Sequence, residues 1–239
     1  MTVAPAALSV IVPCRDESGC IPRFPSELLA PLDALGLAYE VIAVDDGSQD
    51  GPIAALRSLA VRYRPFKVVV HERACGLGAA LRAGFSEASG EWIATLDADL
   101  TFHPSLIRVL LARQKETGAD LVAGSHFLTA GGSAQVPWRR RLPSLAVNAC
   151  YRLLFGKKLT AYTSIFRLYR ASVLKSLPLE SSGFEINAEI AARFIQAGRR
   201  VAEAPAVLTV RTAGESKLDA LRELRRHISL MGRLWRSPS

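Results

Sequence analysis

The sequence predicts an α/β fold in which one mainly parallel sheet is flanked by helices. Short apolar runs alternate with longer segments of helical period through the first half of the chain. This alternation is typical of parallel sheets with helices on both faces. In addition, each of the first four apolar runs is followed by polar or glycine-rich residues. Such residues are expected there, because ligands bind at the carboxyl ends of parallel strands.

The first half of the chain supplies most of the predicted elements, in the order strand, helix, strand. Short apolar runs predict strands at residues 8–12, 39–44, 66–70, 92–96 and 120–123. Apolar residues at helical spacing predict the intervening helices at residues 25–37, 52–64, 77–88 and 104–116.

The second half is less regular and more basic. It predicts strands at residues 165–169 and 207–210 and a helix at residues 186–196. The apolar segment at residues 142–155 is interrupted by Pro143, Asn148 and Arg152. It is shorter than the ~20 apolar residues that cross a bilayer, so at most it lies on a membrane surface.

From Glu215 onward the chain predicts one amphipathic helix. Its apolar residues fall at intervals of three and four, with arginines largely elsewhere around the helix: Leu218, Leu221, Leu224, Ile228, Met231 and Trp235. The stripe either packs on protein or docks on an anionic membrane. The sequence shows no internal repeat and no low-complexity linker. We therefore expect one domain at residues 1–212, followed by the basic helix at residues 213–239.

Composition narrows the class of protein. The chain has 239 residues, of which 49% are hydrophobic, and this excludes a disordered chain. A net charge of +8 favours an anionic partner: nucleic acid, phospholipid or a phosphorylated substrate. The four cysteines form no C-x-x-C pair, which favours free thiols in a reducing compartment and argues against zinc. No signal peptide is recognisable at residues 1–7, so a cytoplasmic location is expected.

The most informative short motif is Asp97-Ala98-Asp99, just after the fourth apolar run. If the strand continues through it, the two aspartates share a face and hold one divalent cation together. Such an ion grips a diphosphate and offsets the charge that develops as the diphosphate leaves. The alternative is ordinary turn chemistry at the end of a strand.

Several stretches together resemble glycosyltransferase family two, whose members have the GT-A fold. The first set is Pro13 to Glu17, Asp45-Asp46-Gly47-Ser48, Gly76-Leu77-Gly78 and Asp97-Ala98-Asp99-Leu100. A second set resembles the dolichol-phosphate mannose synthase branch: Gly124-Ser125-His126, Arg140 with Ser144, Thr163-Ser164 before Phe166-Arg167-Leu168-Tyr169, Gly183-Phe184-Glu185, and Arg211 with Gly214-Glu215-Ser216-Lys217-Leu218. The resemblance makes residues 1–212 a GT-A catalytic domain.

The resemblance also implies roles for individual residues. By this resemblance, the residues that bind the donor nucleotide are Pro13, Arg15, Glu17, Asp45, Asp46, Asp97 and Ala98. Asp97 and Asp99 hold Mg²⁺ or Mn²⁺ and, with Arg211 and Lys217, form the catalytic set. The residues implied to bind the phosphate of the acceptor are His126, Arg140, Ser144, Arg211 and Lys217.

The chain departs from the pattern of the family at five positions. His126 stands where arginine is usual, and Thr101 where glutamine or serine is usual. Ala161 replaces an aspartate, Ile165 replaces a glycine, and Arg15 stands where tyrosine is expected. A neutral imidazole is a weaker phosphate partner than a guanidinium group. These changes therefore leave open which acceptor the protein uses.

The implied function is inverting, metal-dependent transfer of a hexose, with mannose favoured, from a GDP- or UDP-sugar to a polyprenyl or dolichyl phosphate. A phosphate monoester has its second pKa at about 6, so the acceptor attacks without a strong base. The enzyme is then expected in the cytoplasm, with or without peripheral contact at the cytoplasmic face of an anionic membrane.

Two alternatives remain open. A soluble hydroxyl acceptor requires a base, for which Glu185 and Glu189 are candidates. A nucleic-acid-binding protein is suggested by charge alone. It is disfavoured because four acidic strand ends repel a phosphate backbone.

Overall fold

The computed structural model describes residues 6–129, 138–156, 158–209 and 220–236. In the two helices that begin at Trp138 and Ala220, side chains are described from Leu145 and Arg222 onward.

One seven-stranded sheet forms the centre of the molecule. Its strands are β1 (Leu8–Cys14), β2 (Tyr39–Asp46), β3 (Phe66–His71), β4 (Trp92–Thr95), β5 (Leu121–Ser125), β6 (Arg167–Arg170) and β7 (Val201–Pro205). Their order across the sheet is β3-β2-β1-β4-β6-β5-β7. β6 runs antiparallel to its neighbours β4 and β5, and the other pairs are parallel. The mainly parallel sheet predicted from the sequence is confirmed.

Helices cover both faces of the sheet. They are α1 (Ala30–Asp33), α2 (Pro52–Arg62), α3 (Leu77–Glu87), α4 (Ile107–Thr117), α5 (Trp138–Phe155), α6 (Ala171–Leu174), α7 (Ile186–Gln196) and α8 (Ala220–Arg236). Successive strand residues point to opposite faces. In β1, Val10 and Val12 therefore join the core under α1, α2 and α4, whereas Ile11 joins the core under α3, α5 and α7.

The helix expected at residues 25–37 is shorter and irregular. It consists of three consecutive turns, Ile21–Arg23, Pro25–Leu29 and Ala30–Asp33. Pro31 has no amide hydrogen to complete a regular helical ladder. The preceding turn is widened, so that Ala30 N–H donates to the carbonyl of Pro25.

The prediction of a strand at residues 207–210 is wrong. The strand at this edge of the sheet is β7, at Val201–Pro205. β7 buries only the small residues Ala202 and Ala204, so its apolar run is weak in sequence. Beyond it, Leu208 packs on the core, and the Thr209 amide and hydroxyl both donate to the Thr101 carbonyl, each at 2.9 Å. This segment leaves the sheet and crosses to the turn after β4. Residue 210 is outside the described part.

The apolar segment that Pro143, Asn148 and Arg152 interrupt in the sequence is one continuous helix, α5. Asn148, one of those residues, is buried, and its amide bonds the loop at residues 162–163.

α8 packs against the body of the protein. Leu230 and Leu234 are buried in the core under α7, and His227 Nδ1 lies 3.0 Å from the Tyr151 hydroxyl of α5. Burial lowers the pKa of His227. Of the helices described, none combines the length and the apolar character that a membrane span requires.

Candidate active site

The polar residues that follow β1, β2, β3 and β4 lie along one edge of the sheet. These four strands are mutually parallel neighbours, so their carboxyl ends meet there. Strand register extends further than the apolar runs: Cys14 pairs with Asp45, and Asp46 pairs with His71. Some of the polar side chains at this edge therefore belong to the strands themselves and not only to the loops that follow them.

The loop after β1 is fastened to the loop after β2. Asp16 N–H donates to Ser48 Oγ at 2.9 Å, and Gln49 N–H donates to Asp16 Oδ1 at 2.8 Å. Asp16 has a left-handed backbone, with φ of 52°. This fixes the loop that carries Arg15, which is exposed, and Glu17, which is half-buried and accepts a hydrogen bond from Cys20 Sγ at 3.3 Å.

Asp45 and Asp46 are successive strand residues and therefore point to opposite faces of the sheet. Asp46 accepts hydrogen bonds from Cys75 N–H at 2.9 Å and Gly76 N–H at 2.7 Å, and His71 Nδ1 lies 2.8 Å away. Asp45 is buried and accepts from the hydroxyl of Ser48. The Asp46 carboxylate thus orients the glycine-rich loop after β3.

The glycine-rich loop makes two close backbone contacts. Gly78 N–H donates to the Ser182 carbonyl at 2.8 Å, and a Cβ at Gly78 would lie 2.0 Å from the Ser181 carbonyl oxygen. Gly47 has φ of 64°, and a Cβ there would lie 2.4 Å from the Ala74 amide nitrogen. Glycine is required at both positions because main chain approaches main chain.

Asp97 and Asp99 are placed by a turn. β4 ends at Thr95, so the expectation that strand alternation aligns them is wrong. Leu100 N–H donates to the Asp97 carbonyl at 3.0 Å, and Leu100 has φ of 54°. Thr101 donates to Asp99 Oδ1 from its amide, at 3.0 Å, and from its hydroxyl. Thr101 therefore supplies a hydroxyl partner at a position where the family has glutamine or serine.

The pair of aspartates fits a hard divalent cation. Carboxylate oxygens are the ligands that Mg²⁺ and Mn²⁺ prefer. Mg²⁺ commonly binds through one or two carboxylates, with substrate phosphates and water in the remaining positions. Asp97 and Asp99 are both half-buried, and Asp97 lines an open cavity that a substrate can enter.

The cavity beside Asp97 combines polar groups with aromatic walls. Its described lining consists of Leu77, Asp97, Phe102, His126, Phe127, Ala161, Thr163, Ser164, Ile165, Phe184, Asn187 and Leu208. His126, predicted for the acceptor phosphate, thus shares a cavity with the predicted metal ligand Asp97. Two positions where the chain departs from the family, Ala161 and Ile165, are part of the same wall.

Two buried side chains, Arg167 and Asn148, and the half-buried Glu203 hold the wall of the cavity at residues 160–165. Arg167 is fully buried and donates to the carbonyls of Ala161, at 3.1 Å, and Tyr162, at 2.5 Å. Glu203 accepts from the amides of Thr160 and Ala161, at 2.8 and 3.0 Å. Asn148 Oδ1 accepts from Tyr162 N–H at 2.6 Å.

Sequence reasoning gave these three residues no role. A signal was present for Arg167, which stands in an otherwise apolar predicted strand. A charged residue is rarely buried without specific partners. Burial lowers the pKa of its guanidinium group.

The candidate bases for a hydroxyl acceptor are not part of the described lining. Glu189 is buried, accepts from Ser181 N–H at 2.8 Å and lies 3.8 Å from an Arg233 nitrogen. Glu185 Oε1 accepts from Gly183 N–H at 3.2 Å. Both carboxylates stabilise the segment before α7.

The remaining predicted residues are only partly described. Pro13 lies in β1 and Ala98, which is buried, lies in the turn after β4. Arg140 and Ser144 lie on α5, with side chains outside the described part. Arg211 and Lys217 lie outside the described residues.

Comparison with known sequences identifies relatives along most of the chain. The model of the family described as glycosyl transferase family 2 matches residues 9–177. A dolichol-phosphate mannosyltransferase from Pyrococcus furiosus is 33% identical over 227 residues, covering 92% of this chain and 62% of that protein. An undecaprenyl-phosphate 4-deoxy-4-formamido-L-arabinose transferase from Edwardsiella ictaluri is 33% identical over 171 residues, covering 71% and 51%. The chain therefore spans between half and two thirds of the length of these relatives.

Solved structures share the fold. Glucosyl-3-phosphoglycerate synthase from Mycobacterium tuberculosis in complex with phosphoglyceric acid superposes with a TM-score of 0.72 at 21% identity, covering 95% of this chain and 80% of that one. The same enzyme with Mn²⁺ and UDP-glucose gives a TM-score of 0.68 at 22% identity, covering 95% and 79%. The predicted GT-A fold is confirmed.

The family match covers the four strand ends as well as the cavity wall at residues 160–165. Relatives named for polyprenyl-phosphate substrates are similar over 71% and 92% of the chain. The chain belongs to glycosyl transferase family 2.

Proposed function

We propose that this protein transfers a hexose, with mannose favoured, from a GDP- or UDP-sugar to a polyprenyl phosphate, with inversion at the anomeric carbon. The observation that carries the proposal is the position of Asp97. It lies at the edge where four parallel strands end, and it lines the same cavity as His126. A diphosphate site and an acceptor site are then adjacent.

On the donor side, the nucleotide lies against Pro13, Arg15, Glu17 and the Asp45-Asp46 pair. Asp97 and Asp99 would hold Mg²⁺ or Mn²⁺, which when bound would offset the charge on the departing nucleotide diphosphate. Asp99 is kept in place by Thr101. Such preorganised groups act without reorganising during the reaction.

On the acceptor side, the chemistry favours a group that is already anionic. A phosphate monoester is largely deprotonated at neutral pH and needs no base. Glu185 and Glu189 are engaged by main-chain amides outside the described lining. We assign the acceptor phosphate to His126, Arg140, Ser144, Arg211 and Lys217, because a dianion beside a diphosphate requires hydrogen-bond donors and cations.

A membrane surface is the proposed location of the acceptor. On α8, Ile228 is 61% exposed and Trp235 is 70% exposed, and on α5 Leu153 is 86% exposed. Exposed arginines lie on the same two helices: Arg152, Arg222, Arg225 and Arg236. Apolar side chains interleaved with arginines suit peripheral contact with anionic lipid, here at the cytoplasmic face.

The test is a screen of GDP- and UDP-hexoses against a polyprenyl phosphate with Mg²⁺ or Mn²⁺. Release of nucleotide diphosphate and recovery of labelled sugar in organic solvent are expected together. Recovery of the sugar only in the aqueous phase, with a soluble phosphorylated acceptor, would overturn the lipid assignment. Failure of every donor to react would overturn the transferase proposal itself.

A further inference from the structure

A cluster of three potential metal ligands shares no residue with the predicted metal site at Asp97 and Asp99. It consists of Asp46 at the end of β2, His71 at the end of β3 and Cys75 in the loop after β3. A carboxylate oxygen, a ring nitrogen and the thiol sulfur of these residues lie within 4.8 Å of one another. Oxygen, nitrogen and sulfur ligands are therefore available to a single ion.

The main chain fixes the positions of all three residues. Asp46 and His71 are paired in register on neighbouring parallel strands. Cys75 is tied to the same place, because its N–H donates to Asp46 Oδ1 at 2.9 Å. The loop before Cys75 is also held, since the backbone at residues 73–74 lies so close to Gly47 that a Cβ there would be 2.4 Å from it. A metal ion therefore does not have to order this loop on binding.

The distances are close to those around a bound metal ion. The ligand atoms of one tetrahedral Zn²⁺ lie about 3.3–3.6 Å apart. Asp46 Oδ1 and His71 Nδ1 are 2.8 Å apart, so they have to separate only slightly. The exposed Cys75 thiol donates to the Arg73 carbonyl at 3.2 Å, a weak hydrogen bond that is lost when the thiol turns toward the other two ligands. Gly76 N–H holds Asp46 through Oδ2, 2.7 Å away, in either arrangement.

The mixed ligand set selects the class of metal. A thiolate together with an imidazole suits Zn²⁺ and Co²⁺, whereas Mg²⁺ and Mn²⁺ prefer ligands that are all oxygen. Three protein ligands leave the fourth tetrahedral position to water. The lack of a C-x-x-C pair argues against a zinc site built on several cysteines, but this cluster needs only one. Its other ligands come from two neighbouring strands, so the cluster forms only when the sheet forms.

We propose that Asp46, His71 and Cys75 form a second metal site, selective for a borderline-soft divalent cation such as Zn²⁺. Cys75 binds as the thiolate and releases its proton to solvent, while neutral His71 binds through its unprotonated ring nitrogen. The metal then occupies the carboxylate that orients the glycine-rich loop after β3. The inference does not depend on sugar transfer, because the protein alone supplies the ligands.

The experiment is a titration of the reduced full chain with Co²⁺ in excess Mg²⁺, followed by displacement with Zn²⁺. The excess Mg²⁺ competes for sites made of carboxylates alone. Co²⁺ bound to a thiolate has a charge-transfer absorption in the near ultraviolet, which reports directly on a sulfur ligand. We expect one equivalent of Co²⁺ to produce this band and Zn²⁺ to abolish it. A wild-type protein without the band would overturn the proposal.

Two variants test the individual ligands. Cys75→Ser should abolish the band, and because Cys75 is exposed this replacement leaves the fold undisturbed. His71→Asn should weaken Co²⁺ binding at least about tenfold, since even residues that only orient metal ligands contribute that much. Retention of the band in Cys75→Ser, or unchanged affinity in His71→Asn, would overturn the three-residue site.

Cys150→Ser and Asp99→Asn are the matched controls. Cys150 is also an exposed free thiol, but it lies on α5. Asp99 belongs to the predicted pair of carboxylates. Both variants should bind Co²⁺ as the wild-type protein does. Loss of the band in Cys150→Ser would place the sulfur ligand there, and loss in Asp99→Asn would place the metal at the aspartate pair, so either result would overturn the proposal. An intact band in a protein that transfers no sugar would refute only the proposed function.

Discussion

Thr101 determines how Asp99 is held at the end of β4. Its amide and its hydroxyl both donate to Asp99 Oδ1, in a turn where Leu100 has a left-handed backbone. The carboxylate is therefore oriented before any ligand arrives. A divalent cation such as Mg²⁺ binds well only to ligands that lie in a particular geometry. The orientation of the Asp99 carboxylate therefore affects the affinity for the metal.

Thr101→Val should raise the concentration of Mg²⁺ or Mn²⁺ needed for half-maximal activity several-fold, because it removes one of the two hydrogen bonds to Asp99 and keeps the side-chain shape. A metal titration of initial rates measures this. Thr117→Val, which removes a hydroxyl that bonds the Arg113 carbonyl on α4, is the control and should leave the titration unchanged. Identical metal dependence in all three proteins would argue against a role for Thr101.

Gly78→Ala should destabilise the protein by at least about 1–3 kcal/mol, because its Cβ would lie 2.0 Å from the Ser181 carbonyl oxygen and the main chain must shift. Chemical denaturation measures the change. Gly232→Ala on α8 is the matched control: nothing lies within 4 Å of its Cβ, and alanine is favoured over glycine in a helix by roughly 1 kcal/mol. Equal stability of the two variants would contradict the close approach.

The residues of the candidate site were only partly predictable from sequence. Asp97 and His126 were both predicted and do share a cavity, because each follows a strand. Arg167 and Glu203 were given no role, since what makes them important is their hydrogen bonds to the main chain of residues 160–162, which the sequence alone does not show.

At the scale of elements, the buried carboxylate of Glu40 joins strands β1, β2 and β3. Glu40 of β2 accepts from Ser9 Oγ of β1 at 2.7 Å and from Ser89 N–H at 2.6 Å, and it pairs with Lys67 of β3 at 2.6 Å. Desolvation of the carboxylate tends to raise its pKa, but Lys67, Ser9 and Ser89 outweigh this and lower the pKa of Glu40 to about 2.

Glu40→Gln should therefore reduce stability at neutral pH, and the difference from wild type should shrink in acid. The ordinary pKa of the group is 4.5 and the folded value is about 2. Its charged form thus contributes fully above about pH 4.5, and the contribution is lost as pH falls from there toward 2. Denaturation across this range measures it. A difference that is constant with pH would refute the role of the charge.

Strand prediction failed at the edge of the sheet for a physical reason. β7 pairs with β5 in register from Val201 with Leu121, although alanines fill its buried positions. Backbone pairing with β5 and contact with α4 suffice there, so hydrophobicity does not mark the strand in the sequence. The apolar residues at 207–208 looked more strand-like but serve to bring Thr209 to the turn at Thr101. The central strands β1 and β2, buried on both faces, were found correctly because their runs are dense in branched apolar residues such as valine and isoleucine.

At the scale of the whole molecule, α8 has two faces with different environments. Leu230 and Leu234 are buried in the core, while Ile228 and Trp235 are exposed. The helix also bonds the segment before α7, through Arg233 to Glu180 at 2.8 Å. Leu230 and Leu234 are not part of the predicted stripe, of which Met231 packs on the core while Ile228 and Trp235 are exposed. Contact of the exposed residues with a membrane stays a proposal, and removal of the helix would disturb the core.

Replacing Ile228 and Trp235 together by glutamine should weaken flotation with anionic vesicles and leave the melting temperature nearly unchanged, since both side chains are exposed. Vesicles of neutral lipid should bind the wild-type protein less, because the arginines of α8 contribute to attraction. Val61→Gln on α2, where Val61 is 89% exposed, is the control. Undiminished flotation of the double variant would exclude this face from membrane contact.

The central claim is metal-dependent sugar transfer at the edge of the sheet that carries Asp97 and Asp99. The most direct measurement is release of nucleotide diphosphate by wild type and Asp99→Asn, with a nucleotide hexose, a polyprenyl phosphate and Mg²⁺ or Mn²⁺. We expect release that requires both the lipid phosphate and the metal, and its loss in Asp99→Asn at an unchanged melting temperature. Full activity of Asp99→Asn, or activity in the presence of excess chelator, would contradict the account.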